Sequence, residues 1–258
     1  MKGLVTFLLG IGYLATSDAN WICDEAPPLY NVRQVDAGLG SVVVRDKDSN
    51  AYFLAGSDWK LLGSIKLKHV TVGPAGLWGV GIDDNVYKYI AGDFTPSTGL
   101  SMLQVDAGNN QVVGVSPSST ANCLNSTTAM ALSGVGYLSW SSLSRSLKYY
   151  SCGPLGCWGV DTNNQIFFAQ NVDPSTCSTS GWRNAPGSLI MIEVGTDGRV
   201  FGANIEGKVY ERTGISTALP FGVDWVYIPM CIGIRHVSYD LGKLWVVSNS
   251  GIIMRCSS

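Results

Sequence analysis

The stretch 68–89, KHVTVGPAGLWGVGIDDNVYKY, contains three short segments rich in β-branched and aromatic residues, separated by turns of Gly, Pro, Asp and Asn. Nearly the same order returns at 148–169, KYYSCGPLGCWGVDTNNQIFFA. Short segments of this composition, bounded by turn residues, are typical of β-strands. The stretch therefore predicts a unit of three antiparallel strands that the chain uses more than once.

Six copies of this unit are present, and each opens on a short apolar strand: RQVDAG, KHVTVG, LQVDAG, KYYSCG, IMIEVG and RHVSYD. We call the central apolar residue of each opening strand its anchor; the anchors are Val35, Val70, Val105, Tyr150, Ile192 and Val237. Successive anchors are 35, 35, 45, 42 and 45 residues apart. An aromatic residue 10 to 14 positions before the next anchor marks a fourth strand, and it is Trp59, Phe94, Trp140, Trp182 or Trp225.

A repeat of about 40 residues with four short strands is typical of a β-propeller, in which each sheet buries its faces against its neighbours. We therefore predict an all-β fold, a six-bladed β-propeller of four-stranded antiparallel blades, as a single domain over 20–258. A β-sandwich with coincidental turns is the alternative.

The two ends of the repeat array complement each other. The sixth unit ends at Cys256 without a Trp strand, and Trp21 lies 14 residues before the first anchor without a unit of its own. We predict that the N-terminal strand joins the C-terminal blade and closes the ring. Cys23 and Cys256 would then lie on adjacent strands and form a disulfide.

The chain has seven cysteines, so at least one has no partner within the chain. Cys152 and Cys157 flank a GPLG turn, which predicts a disulfide across a hairpin. Cys177 and Cys231 are at matching outer positions of adjacent units, and we expect them to pair. Cys123 is then the odd thiol.

The N-terminus reads as a signal peptide over 1–19, with Lys2, an apolar segment at 3–14, and small residues Ser17 and Ala19 before the cut. This predicts a secreted, extracellular protein without membrane insertion.

Asn125 begins the N-x-S/T sequence Asn-Ser-Thr and is a predicted glycosylation site. The net charge is -2 and no basic run occurs, which argues against nucleic acid as a partner. Self-association into a homo-oligomer is left open.

The sequence offers no convincing catalytic set, and we predict that the protein is not an enzyme. His69 and His236 are the two histidines, and they occupy equivalent places in units two and six, which favours a structural role. No P-loop, GxSxG or HExxH motif occurs. The segment 46–50, DKDSN, lacks the Gly and Glu of a calcium loop and fits an ordinary turn. We therefore predict no metal site and no cofactor. Calcium is the alternative, without a motif to support it.

The units KHVTVGPAGLWGVGIDDNVYKY, YYSCGPLGCWGVDTNNQIF, MIEVGTDGRVFGANIEGKVYERTG and HVSYDLGKLWVV resemble tectonin (TECPR) repeats. In this order, and with these cysteines, they are most similar to the fish-egg lectins, over essentially the whole chain after residue 19. The resemblance implies a secreted six-bladed propeller that binds carbohydrate. N-acetylglucosamine-type sugars and bacterial surface glycans such as lipopolysaccharide are the expected ligands, and defence of eggs or plasma is the expected context.

A sugar ring is held by an aromatic face together with Asn, Asp and backbone groups that pair with its hydroxyls. Candidate residues of these types occur at repeated turn positions, although each type also has an ordinary structural use in packing or turns. They are Trp78, Trp158 and Trp245 after the first turns, Asp36, Asp106 and Asp240 at the first-strand ends, and Asn85, Asn164 and Asn204 in the second turns.

Three units depart from the repeat, which weakens the prediction of a sugar site in those blades. Unit two has Gly81 after WGV, unit three has 113–115, VGV, in place of WGV, and unit one has 43–45, VVR. A secreted, non-catalytic, protein-binding propeller is the alternative function. Several weak sugar sites on one ring would bind a glycan-coated surface together, which gives a repeated lectin a physical advantage.

Overall fold

The computed structural model describes residues 21–258, in which the chain forms 25 β-strands and one short α-helix. The strands form six sheets, whose innermost strands contact one another in cyclic order. The predicted six-bladed propeller is therefore confirmed. The first blade comprises β2 (Val32–Gly38), β3 (Ser41–Asp46), β4 (Ala51–Ala55) and β5 (Asp58–Leu61). The second comprises β6 (Leu67–Gly73), β7 (Gly76–Gly81), β8 (Val86–Ile90) and β9 (Asp93–Gly99). The third comprises β10 (Gln104–Asp106), β11 (Val112–Val115), β12 (Thr120–Leu124) and β14 (Ser141–Ser146).

The remaining blades follow the same order from the axis outward. The fourth blade comprises β15 (Tyr149–Gly153), β16 (Gly156–Val160), β17 (Ile166–Gln170) and β18 (Gly181–Ala185). The fifth comprises β19 (Met191–Val194), β20 (Val200–Ala203), β21 (Val209–Arg212) and β22 (Trp225–Ile228). The sixth comprises β23 (Ile234–Asp240), β24 (Lys243–Ser248), β25 (Ile253–Ser257) and β1 (Ile22–Glu25). The predicted signal peptide, 1–19, lies outside the described residues. Within them, no helix is long and apolar enough to cross a membrane.

Ring closure follows the prediction. β1 pairs antiparallel with β25, with Cys23 directly opposite Cys256, and a disulfide joins the two cysteines. The last blade is therefore built from both ends of the described chain. This arrangement holds the ring shut with backbone hydrogen bonds and with one covalent link.

The insertion in unit three extends a neighbouring blade. After α1 (Ser126–Ala131), the strand β13 (Gly136–Leu138) pairs in parallel with β9, so the second blade has five strands. Asn125 caps the helix by accepting a hydrogen bond from the Thr128 N–H at 2.8 Å. Lys88 Nζ donates to the carbonyls of Ala129 (2.6 Å) and Leu132 (2.9 Å) at the other helix end.

Two of the three predicted disulfides are confirmed, and the third is wrong. Cys152 pairs with Cys157, as the hairpin spacing predicted. Cys177 pairs with Cys123 and not with Cys231, because the loop 171–180 of the fourth blade folds back onto β12 of the third. Among the described cysteines, Cys231 is the free thiol, and it is exposed. The repeat alignment located the outer strands but not the path of this inserted loop.

The hydrophobic core lies between blades, where the faces of adjacent sheets meet. One cluster joins Val35 and Val44 of the first blade to Trp245 and Val247 of the sixth. Another spans the fourth, fifth and sixth blades around Trp158. Each sheet is thus stabilised by its neighbours, as expected for a ring of blades.

Glycines at the axis allow the inner strands to approach closely. The position three residues after the anchor is glycine in five blades: Gly38, Gly73, Gly108, Gly153 and Gly195. A Cβ on Gly73 would lie 2.2 Å from the Ala107 carbonyl oxygen of the next blade, well inside van der Waals contact. The backbones therefore meet at a distance that a side chain does not permit.

We expect Gly73→Ala to destabilise the protein by about 1–3 kcal/mol, because the added methyl group overlaps the backbone of the next blade. Gly134→Ala is the matched control, since a Cβ there has no atom within 4 Å. Denaturant unfolding measures both. Equal stabilities of the two variants would show that the blades do not meet as described.

We expect removal of the Cys23–Cys256 disulfide by a double Cys→Ser change to cost about 5 kcal/mol, because the bridge closes a loop of nearly the whole ring. The double Cys152→Ser, Cys157→Ser variant is the control. The two cysteines of this bridge are 5 positions apart in the sequence, compared with 233 for Cys23 and Cys256. The same loop-entropy argument therefore predicts a loss of stability of about 2 kcal/mol. A smaller loss for the ring-closing bridge would contradict this account of closure.

Candidate functional site

The residue after each anchor forms a buried belt around the axis. In chain order the six residues alternate between acid and hydroxyl: Asp36, Thr71, Asp106, Ser151, Glu193 and Ser238. Five of them accept a hydrogen bond from a backbone N–H of the following blade. The donors are Val72 N (2.7 Å, to Asp36), Ala107 N (3.0 Å, to Thr71), Cys152 N (2.7 Å, to Asp106), Val194 N (3.0 Å, to Ser151) and Ala37 N (2.9 Å, to Ser238).

The sixth belt residue, Glu193, has side-chain partners instead. It accepts hydrogen bonds from the Tyr149 hydroxyl and from Ser151 Oγ (3.1 Å). The Tyr149 hydroxyl also contacts the Nε2 atoms of His69 (3.3 Å) and His236 (2.9 Å). The two histidines therefore belong to the same buried network.

Burial disfavours charge in this network. Burial, and then the charge of Asp36, raise the pKa of Asp106 to about 8. Burial, with the charges of Asp36 and Asp106, raises the pKa of Glu193 well above its usual value. Burial also lowers the pKa of His236 to about 3 and that of His69 well below its usual value. The axis is thus an interior polar network rather than an open binding surface.

The predicted aspartates do not form one site. Asp36 and Asp106 are committed to the belt, and each is at most 5% exposed. Asp240 replaces the axial glycine of the sixth blade. It accepts hydrogen bonds from Gly40 N (2.6 Å) and from the Thr196 hydroxyl. All three carboxylates hold neighbouring blades together.

The predicted asparagines lie at the opposite end of the strands, in the turns between second and third strands. Asn204 Oδ1 accepts from the N–H groups of Glu206 (3.0 Å) and Lys208 (2.9 Å) within its own turn. Asn85 donates to Asp83 (2.7 Å), and Asn164 accepts from Lys148. These turns are separated from the belt by the length of a strand, so the predicted Asp and Asn groups are not brought together.

The same turns show how one departure from the repeat is accommodated. In the first and fourth blades, Asp46 and Asp161 each accept two backbone N–H groups of the turn that they open. Gly81 holds this place in the second blade, and Asp83 supplies the turn acceptor instead, from Asn85 N (3.2 Å). The carboxylate of Asp46 is thus used within its own turn. In the described part of the chain, no group of three or more His, Cys, Asp or Glu residues is placed to hold a metal ion.

The predicted tryptophans are in the blade interiors. Trp78, Trp158 and Trp245 are 0%, 1% and 5% exposed. Trp158 lies between blades, 5.6 Å from Phe221 in a stacked arrangement and 5.0 Å from Phe168 between ring centroids. An aromatic ring binds a sugar through an exposed face, so these three residues are packing residues in this structure and not sugar-stacking surfaces.

A cleft between the fourth and fifth blades, bordered also by the first turn of the third blade, is the best candidate site. It has a volume of about 430 Å³ and opens at the end of the propeller that carries the first turns. The loops 171–180 and 213–224 border it. Phe168 and Phe221 form apolar walls, and Asn109, Gln111, Gln170, Asn171 and Arg183 contribute polar groups. Cavities of this size that combine apolar walls with a few polar groups are typical of small-molecule sites.

Gln111 is the most distinctive group in the cleft. It is 1% exposed, and its Oε1 atom has no hydrogen-bond partner among the described residues. Its Nε2 atom makes only a weak contact with Cys157 Sγ at 3.8 Å. A buried acceptor without a donor is costly, and a ligand N–H or O–H group would remove that cost.

The sequence reasoning missed Gln111 and Arg183, although a signal was present. Gln111 occupies the turn position that is glycine in three other units, Gly76, Gly156 and Gly198. The loops that border the cleft account for the longer spacings between the last anchors. Departures from a repeat, rather than its regular positions, located this cleft.

The fold and the cleft define a six-bladed β-propeller with a polar cleft between two blades. The model of the Tectonin domain matches residues 31–249, and the chain belongs to this family. Over 156 residues the chain is 46% identical to the fish-egg lectin of Cyprinus carpio. That match covers 59% of this chain and 65% of the relative, so the chain spans just under two thirds of that protein.

Solved structures show the same fold at low identity. Virginiamycin B lyase from Staphylococcus aureus matches with a TM-score of 0.60 at 10% identity, over 93% of this chain and 99% of that one. Prp20p from Saccharomyces cerevisiae matches with a TM-score of 0.55 at 10% identity, over 92% and 80%. These similarities concern the propeller fold alone.

The raised pKa of Asp106 gives a pH prediction. Its folded value of about 8 exceeds the unfolded value of 3.8. The folded state therefore keeps a proton that the unfolded chain releases, and the free energy of unfolding falls as pH rises from about 4 to about 8. Asp106→Asn should remove this contribution, which is at most about 1.4 kcal/mol per pH unit.

Denaturant unfolding between pH 5 and 7.5 measures that slope. Thr71→Val is the control, because it deletes the equivalent belt acceptor without removing a titrating group. It should lower stability at every pH and leave the slope unchanged. Identical slopes for Asp106→Asn and the unmodified protein would contradict the prediction.

Proposed function

We propose that this protein is a secreted, carbohydrate-binding lectin that recognises N-acetylglucosamine-type sugars and bacterial surface glycans such as lipopolysaccharide, without hydrolysing them. The observation that carries the proposal is the inter-blade cleft with the orphaned Gln111 acceptor. An acetamido N–H is a donor of the kind that this acceptor lacks. The similarity to a fish-egg lectin supports the same conclusion.

Several features favour binding over catalysis. Both histidines are buried in the axial network and contact the Tyr149 hydroxyl. In contrast, the cleft presents amides, apolar rings and a guanidinium. Such groups hold and orient a polar ligand without an obvious acid–base pair. We therefore assign the protein a role in recognition, in the context of egg or plasma defence.

Multivalent binding would increase the strength of a weak site. A second cleft, of about 270 Å³, lies between the first and second blades and is lined by Phe53 among others. Phe53 is opposite Val43 in its sheet, as Phe168 is opposite Trp158 in the fourth blade. Sugar binding at both clefts would let the protein bind a polymer or bacterial surface more strongly than a single sugar.

We expect the folded protein to be retained on N-acetylglucosamine resin and eluted by the free sugar. Gln111→Leu should reduce this retention, because it removes the acceptor for the acetamido group. Since Oε1 has no partner, the substitution should not lower the thermal unfolding temperature. Gln165→Leu, the same chemical change in an exposed turn at the opposite end of the strands, is the control.

A broad glycan array tests the alternative function. Absence of binding to any glycan, by protein that is folded and has its three disulfides, would contradict the lectin proposal. That result would favour a protein-binding propeller. Equal loss of retention in both Gln variants would instead show that the cleft is not the site.

A further inference from the structure

The cleft between the fourth and fifth blades has positive charge without a counter-charge. Arg183 lines it, and no Asp or Glu is among the described residues that do so. The ion pairs found within 21–258 do not include Arg183. Its guanidinium carbon instead lies 3.6 Å from the centroid of the Phe221 ring. The hydrogen-bonding edge of the guanidinium is therefore not committed to a carboxylate.

A second guanidinium lies behind the same ring. Arg212 is 2% exposed, and its Nε donates to the Phe221 carbonyl at 3.0 Å. Its Nη1 and Nη2 atoms have no hydrogen-bond partner among the described residues. Its carbon lies 4.7 Å from the Phe221 centroid, within the aromatic surroundings of Trp158 and Trp225.

The two cations raise the electrostatic potential at this wall of the cleft. Burial lowers the pKa of Arg212, the charge of Asp224 opposes this shift, and the charge of Arg183 adds to it. Cation–π contacts with Phe221 offset part of the cost of holding two like charges near each other. An anion at the cleft would offset it further, because charge–charge attraction is stronger away from bulk water.

We infer that the cleft prefers N-acetylated sugars that carry an anionic group, a carboxylate or a phosphate, and that Arg183 determines this preference. The inference rests on the proposed lectin function. Gln111 Oε1 accepts from the acetamido N–H, and the Arg183 guanidinium donates to the anionic oxygens, a geometry that suits both carboxylate and phosphate. The buried Arg212 adds attraction without touching the ligand.

Calorimetric titration of the secreted protein with four sugars tests the inference. N-acetylmuramic acid and N-acetylglucosamine 6-phosphate have both groups, N-acetylglucosamine lacks the anion, and glucuronic acid lacks the amide. We expect one or both of the first two to bind about tenfold more tightly than N-acetylglucosamine at low salt. The sugar with the larger gain in affinity identifies the preferred anion, and added salt should reduce that gain.

Two arginine variants separate a specific role from a structural one. Arg183→Gln should bring the affinity for the anionic sugars down to that for N-acetylglucosamine, which itself should not change. Arg145→Gln is the matched control, because Arg145 stacks on Phe167 at 3.4 Å but does not line the cleft. It should leave every affinity unchanged, and thermal unfolding should report both variants as folded.

The outcomes distinguish this inference from the lectin proposal. Binding of N-acetylglucosamine with no gain from either anion would overturn the inference and leave the lectin proposal standing. The same would follow if the anion gain survived in Arg183→Gln, or if both arginine variants lost it equally. Failure of the folded protein to bind any of the four sugars, together with an empty glycan array, would overturn both.

Discussion

The convergence of six inner strands on one axis is the constraint on which the rest of the structure depends. At Gly73 the next blade is so close that a Cβ would lie 2.2 Å from a carbonyl oxygen. Such proximity buries backbone N–H groups between blades, and each buried donor requires an acceptor. In five of the six blades the residue after the anchor supplies it. This explains why an acid or a hydroxyl, and never an apolar residue, occupies that position.

The alternation of acid and hydroxyl around the belt follows from electrostatics. Six carboxylates around an axis would repel one another, whereas hydroxyls accept hydrogen bonds without charge. Placing Thr71, Ser151 and Ser238 between the three acids separates the carboxyls by a blade each. Even so, burial and their mutual repulsion raise the pKa values of Asp106 and Glu193. The belt therefore provides hydrogen bonds between blades, while protonation of its carboxyl groups reduces its negative charge.

Residues at regular repeat positions and residues that depart from the repeat have different roles in this molecule. Regular positions of the repeat, including the one that Trp78 and Trp158 occupy, hold sheets together. The cleft instead depends on residues that break the pattern: Gln111 at a turn position that is glycine in three other units, and the long loops of the fourth and fifth blades. Departures also supply the disulfide between Cys123 and Cys177, which ties the inserted loop to the third blade. A regular scaffold can thus carry a local site, because a turn or a loop can change without disturbing the axis.

The sequence by itself determined the propeller, the blade number, the ring closure and two disulfides, because these follow from local strand patterns repeated at fixed spacing. The fixed order of segments after an opening strand such as 34–38, QVDAG, predicts the order of strands in each sheet. Trp21, which has no unit of its own, predicts that the N-terminal strand completes the last blade. Only the tertiary structure decided that Trp158 is covered by Phe221, that Asp106 accepts from Cys152 N, and that Cys177 bonds to Cys123. Each of these depends on contacts between blades or on the path of an inserted loop. Spacing along the chain does not encode such contacts, since residues 40 or more positions apart meet only when neighbouring blades pack together.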